Sequence, residues 1–216
     1  MAMYWAQFEP VGEKLFRFDT RVYLSDVVTC RDCDPVIGAI VAKNPGSSRP
    51  SDPSSRILQE VSLNGGQLLP AIHSVVSKAF ARAGQHWPER GYVQVFNLFY
   101  LCDKQLSRAW RAASQIKRRA CLKESLSIPW LWYAWGRMGS ELPDLSERFK
   151  AVAATDRFYF DHKLKEIRTG HPTETAFPKH TQGLQREPVI AHIAGLIAND
   201  RSVNNVELTN VSNLTC

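Results

Sequence analysis

Hydrophobic and polar positions divide the chain into short apolar runs of strand character and longer stretches with helical spacing. Residues 4–29 alternate polar and apolar, as in Leu15-Phe16-Arg17-Phe18 and Arg21-Val22-Tyr23-Leu24. That period-2 pattern predicts two short strands or a hairpin. Val36–Ala42 is a wholly apolar strand. Residues 44–55, rich in Pro, Ser, Gly and Asp, read as a loop. Leu68, Leu69, Ile72, Val75, Val76, Ala79 and Phe80 recur at helical spacing, with a stop near Gly84. Further strands are expected over Tyr92–Phe99, Trp130–Trp135 and Arg157–Asp161. Helices are expected over Gln105–Leu122, Leu145–Ala153 and from Pro188 onward.

Strands alternating with helices predict a three-layer α/β/α domain around a small, mostly parallel four-stranded sheet. One domain over residues 1–200 is expected, with residues 1–35 as an N-terminal β extension and 201–216 as a polar tail. No run is long and apolar enough to span a bilayer, and MAMYWAQFEP lacks the plan of a secretory signal. A cytoplasmic, monomeric protein with no membrane partner follows as the expectation.

Charge alters this picture in one segment. The chain of 216 residues carries a formal net charge of +6. Between Lys104 and Lys123 stand Lys104, Arg108, Arg111, Lys117, Arg118, Arg119 and Lys123, with Trp110 among them and no acid after Asp103. A solvated helix face mixes signs, so a one-signed segment favours phosphate contact.

The apolar strands end in groups with chemistry. Asn44-Pro45-Gly46-Ser47-Ser48 leaves the strand 36–42 through a rigid Pro and a permissive Gly. Such a turn lets backbone N–H groups and Ser hydroxyls approach an anion, or it is simply a capped βα turn. The Asn44 amide does not titrate but can orient a water. Asp52 has the chemistry to activate water, or to cap a helix begun by Pro53; Arg56 has that of a phosphate clamp. Asn97 offers a donor and an acceptor that suit a nucleobase edge, or closes its strand by an Asx turn. His171, before Pro172, suits a leaving group that gains negative charge, although a lone His is more often structural. Cys30-Arg31-Asp32-Cys33, Cys102 and Cys121 are either unrelated thiols or four ligands for an iron–sulfur cluster, with zinc as the lesser option.

In order along the chain, Asn44-Pro45-Gly46, Asp52-Pro53, Asn97-Leu98-Phe99, Ala134-Trp135-Gly136 and Gly170-His171-Pro172 resemble the motifs of the uracil-DNA glycosylase superfamily. The likeness is to a bacterial domain family near it and spans about residues 36–184. It implies that Asn44 positions the hydrolytic water, Asn97 reads a flipped base and His171 stabilises the departing base. The cysteine positions are similar to those of the iron–sulfur branch, which has Glu-Ala-Pro-Gly where this chain has Asn-Pro-Gly; a [4Fe-4S] cluster on Cys30, Cys33, Cys102 and Cys121 would follow.

The expected function is a monofunctional glycosylase that removes a modified or damaged base from double-stranded DNA, in repair or in defence against phage DNA. Catalytic residues would be Asn44, His171 and Asp52. Asn97, Phe99, Trp135, Pro45 and Gly46 would line the base pocket. Lys43, Ser47, Ser48, Arg56, Arg111, Lys117, Arg118, Arg119, Thr173 and Lys179 would contact DNA. The alternatives are a non-catalytic nucleic-acid-binding module and a hydrolase of free nucleotides. No P-loop or dense carboxylate cluster supports the last.

Overall fold

A computed structural model describes residues 2–52, 55–103, 105, 120–137, 143–173 and 175–200. The first two strands, β1 (Ala2–Val11) and β2 (Lys14–Val27), form one long hairpin. Its two-residue turn opens on Gly12 at φ 57°, which suits a primed hairpin turn and favours glycine. Then come β3 (Val36–Ala42), the two-residue β4 (Arg49–Pro50), β5 (Leu58–Ser62) and helix α1 (Leu68–Ala83). Strand β6 (Tyr92–Asn97) and strand β7 (Ile128–Tyr133) lead to helix α2 (Pro143–Glu147) with a 3₁₀ turn at Arg148–Lys150. The described chain closes with β8 (Ala154–Asp161), β9 (Glu166–Thr169) and helix α3 (Arg186–Asn199).

All nine strands join one mixed sheet in the order β4-β5-β1-β2-β6-β3-β7-β8-β9. β6, β3, β7 and β8 are neighbours and pair in parallel. The other five pairings are antiparallel. The expected four-stranded, mostly parallel sheet in a three-layer sandwich is therefore overturned. Residues 1–35 are not an appendage: β2 pairs directly with β6 over Thr20–Tyr23, and β1 carries β5 beyond it. β5 and β9 escaped the sequence because they are short and largely polar, so no apolar run marks them.

Each face of the sheet has its own core. On one face Ile40, Val93, Val95, Trp132 and Phe158 pack under Ile72, Val76 and Phe80 of α1 and Val189 and Ile193 of α3. α1 shows the expected apolar stripe and stops at Gly84, which adopts φ 65°. On the other face Val41, Phe96, Tyr133 and Trp135 lie under Leu98, Leu101, Leu145 and Phe149. The helix expected over 145–153 is confined to α2 and its 3₁₀ turn. The helix expected over 105–122 falls almost wholly outside the described residues. Among the described residues no helix is long and apolar enough to cross a membrane.

Candidate functional site

The carboxyl ends of the adjacent strands β6, β3 and β7 bring the predicted motifs together. Ala42 is the register partner of Asn97, and pairing continues past the strands through Leu98 N–H to Ala42 O at 2.9 Å. Ala134 N–H donates to Val41 O at 2.9 Å on the other side. Asn44 stands just beyond this edge and donates from Nδ2 to Asp103 O at 3.0 Å. Pro45 is buried, and Gly46 turns the chain at φ 71°.

Asn97 is wholly buried, on the helix-covered face with Val93 and Val95. Among the described residues neither its Nδ2 nor its Oδ1 has a partner. Burying such a group unpaired costs about 1–3 kcal/mol. Its backbone is held firmly: Arg148 Nη2 donates to Asn97 O at 2.6 Å and Nη1 to Leu98 O at 2.9 Å. The amide is thus a donor–acceptor pair on a held backbone, unpartnered among the described residues.

Phe99 and Trp135 belong to the opposite core. His171 rests against that core, its ring 5.0 Å from Tyr133 and 5.9 Å from Trp135, centre to centre. Nε2 lies 3.1 Å from Ser146 O and Nδ1 lies 2.9 Å from Pro172 O. Burial lowers its pKa against the opposing pull of those two carbonyls. Both ring nitrogens therefore face backbone carbonyls, of which a neutral ring donates to one, and His171 can serve a leaving group only if its loop moves.

The sequence did not single out His180. It packs 3.4 Å from where a Cβ on Gly136 would stand. Gln182 N–H donates to Nδ1 at 3.1 Å, which leaves the proton of the neutral ring on Nε2. Burial, then the charges of Lys43 and Lys179, lower its pKa. Burial also lowers the pKa of Lys43, whose Nζ donates to Arg137 O at 2.6 Å. Lys43, Lys179 and His180 thus form a basic group beside the tips of β3 and β7. Of the other predicted DNA contacts, Ser48 is buried, Ser47 is partly so and Thr173 is exposed.

Several predicted residues lie elsewhere. Asp52 sits beside β5, its N–H donating to Gln59 Oε1 at 2.7 Å, with β1 and β2 between it and β6. Arg56 is exposed and lines an open cavity of about 1170 Å³ that Trp5, Gln7, Phe18, Cys30 and Cys121 also border. Arg111, Lys117, Arg118 and Arg119 lie outside the described residues. The four thiols do not gather: Cys102 packs in the helix-side core, Cys121 in the opposite one, and Cys33 is disulfide-bonded. Burial raises the Cys121 pKa to about 11. No group of three or more His, Cys, Asp or Glu is placed for a metal among the described residues. As arranged here the thiols do not fit a cluster, and no chemistry is routed through one.

No family model, curated protein or solved structure matches this chain. The likeness to the uracil-DNA glycosylase superfamily rests on the motifs alone.

Proposed function

We propose that this protein is a DNA N-glycosylase that admits a flipped base at the tips of β6, β3 and β7. The observation that carries the reading is Asn97, a wholly buried amide with both polar atoms unpartnered among the described residues. Buried polar groups are almost always satisfied, and an exception marks a place for a water, an ion, a catalytic role or a ligand. An amide offers one donor and one acceptor, the complement of a base edge. The Asn44 NH₂ is held on Asp103 O, and its carbonyl oxygen has the chemistry to orient a water. Lys43 and Lys179 supply positive charge for the phosphates on either side of the extruded nucleotide.

The N-glycosidic bond breaks through an oxocarbenium-like sugar, and the water held by Asn44 adds to it. Lys43 is the lysine beside the water site, but its Nζ is committed to Arg137 O. Hydrolysis without a lyase step is the expected outcome.

The test is base release. DNA duplexes containing uracil, hypoxanthine or mismatches, and phage genomic DNA with substituted cytosines, are incubated with the protein and cleaved with alkali. Abasic sites on one substrate, lost in Asn97→Leu and Asn44→Ala and without a borohydride-trapped adduct, support the reading. No abasic sites on any substrate, with DNA still retained, would overturn it. That result favours the binding-module reading, which has its own support in His171, whose ring nitrogens both face backbone carbonyls.

A further inference from the structure

Two arginines on β2, Arg17 and Arg21, are buried to the same degree and treated oppositely. Arg21 is 0 % exposed, and Asp19 receives its Nε at 3.1 Å and its Nη2 at 2.9 Å. Its Nη1 donates to Arg31 O at 2.8 Å. Arg17 is 1 % exposed, and among the described residues its Nε and Nη1 have no partner. No ion pair among the described residues includes it, and the ionisable group that acts on it is Cys102, itself flanked by Arg49. A guanidinium does not give up its proton in a protein. A buried one with two of its three nitrogens unpartnered among the described residues is therefore a demand for an anion.

The register shows which face makes that demand. Arg17 pairs with Phe8, and Phe8 belongs to the helix-side core. Thr20 pairs with Val95 of the same core, is 0 % exposed, and has an unpartnered Oγ1 among the described residues. Between them Asp19 adopts φ 39°, which breaks the strand's alternation and lets residues 17 and 20 share a face. Arg17 N–H donates to Tyr100 O at 2.9 Å, so Arg17 lies against the segment that directly follows Asn97.

We propose that Arg17, with Thr20 and Asn97, receives the departing base as an anion. The assignment rests on the glycosylase reading and deepens it. When the bond from C1′ to the base nitrogen breaks, the electron pair stays on the base. Water adds to C1′ and loses a proton to solvent, and the base remains as a delocalised O–C–N anion. Arg17 supplies the countercharge that His171, engaged with Ser146 and Pro172, does not.

The experiment uses the full chain as wild type, Arg17→Met and Arg17→Lys. Free uracil, thymine and hypoxanthine are titrated calorimetrically from pH 7 to pH 9.5, beside the base-release assay and thermal melting. Wild type is expected to bind one base more tightly as that base ionises, by roughly tenfold per pH unit below the base's own pKa. Arg17→Met should lose that dependence and at least tenfold in affinity, melt no lower than wild type, and release base at least a hundredfold more slowly. Arg17→Lys, which keeps the charge, should retain part of each property and decides the matter if Arg17→Met does not fold. Wild type that binds none of the bases, or an Arg17→Met with unchanged affinity and pH dependence, overturns the assignment. Arg17-dependent base binding with no abasic site in any DNA leaves Arg17 in place and removes the glycosylase reading. Abasic sites formed at full rate by Arg17→Met do the reverse.

Discussion

Arg148 holds the tip of β6 by the main chain of Asn97, donating from Nη2 to its carbonyl oxygen at 2.6 Å. The same guanidinium bonds Leu98 O and pairs through Nε with Glu124 at 3.1 Å, while its carbon lies 4.4 Å from the centre of the Phe149 ring. One side chain thus ties β6 to the 3₁₀ turn that follows α2. Arg148→Ala removes the guanidinium from two carbonyls and from Glu124 Oε2, while Glu124 Oε1 keeps Tyr100 Oη at 2.6 Å. It should cost about 2–4 kcal/mol in urea unfolding, and Arg148→Lys, which cannot span three acceptors, should recover only part.

Asn97 sets stability against function. Replacing its unpartnered amide by an apolar group of similar size removes a desolvation penalty of about 1–3 kcal/mol. Asn97→Leu should therefore raise the urea midpoint at an unchanged slope. It should also abolish base release, because a leucine offers a base edge neither donor nor acceptor. A variant less stable than wild type would show that the amide is satisfied after all.

How much of this site was legible in the sequence depended on whether its signal was local. The tips at Asn44, Asn97 and Trp135 are legible because each lies at the end of a largely apolar run, and such runs mark strands buried on both faces. Arg17 holds the polar position of the alternating run Leu15-Phe16-Arg17-Phe18. It is buried because both faces of β2 are covered, by α1 and by the chain after β6, and a period-2 pattern cannot report that. Asp19 shifts the alternation by a backbone angle that its residue type does not announce. His180 gains its role from packing against Gly136, over forty residues earlier. The cysteines mislead for a related reason: the C-x-x-C spacing is local, whereas the sheet separates Cys102 from Cys121.

The half-buried histidines make stability fall in mild acid. Burial lowers the pKa of His171, His180 and His192. A histidine with a depressed folded-state pKa leaves the unfolded chain binding more protons, so its contribution is complete above about pH 6.5 and is lost as pH drops through the folded value. Unfolding free energy measured in urea should therefore decline from about pH 7 to pH 5. His180→Gln should make that decline shallower without changing the result at pH 8.

Gly38 has a tighter constraint than any turn glycine in the molecule's described part. A Cβ on it would meet the Trp130 ring at 2.1 Å. Overpacking a core usually costs about 1–3 kcal/mol, and a clash with a rigid ring belongs at the upper end. Gly38→Ala should thus lose about 3 kcal/mol. Gly38→Ala with Trp130→Leu should lose less than the sum of the two single variants, and a double-mutant cycle in urea measures the difference. Strict additivity would mean that the ring moves aside freely.

Asp34 sets the acid limit through a network on the face opposite Arg17. Its carboxylate accepts from Arg90 Nε at 2.6 Å and Nη2 at 3.1 Å, Tyr23 Oη at 2.7 Å and Arg31 N–H at 2.9 Å. Burial alone would raise its pKa, but the bonds from Arg90, Arg31 and Tyr23 outweigh it and the net shift is downward. A depressed carboxylate contributes stability that is complete above its unfolded pKa, about 3.9, and is lost as pH falls through the lower folded value. Asp34→Asn keeps the shape and removes the charge, which leaves Arg90 and Tyr23 facing a neutral amide. It should cost about 2–4 kcal/mol at pH 7 and flatten the stability curve below pH 4. Wild type and variant with parallel curves from pH 2 to pH 7 would show that the pair is not what holds the 29–34 loop to β2.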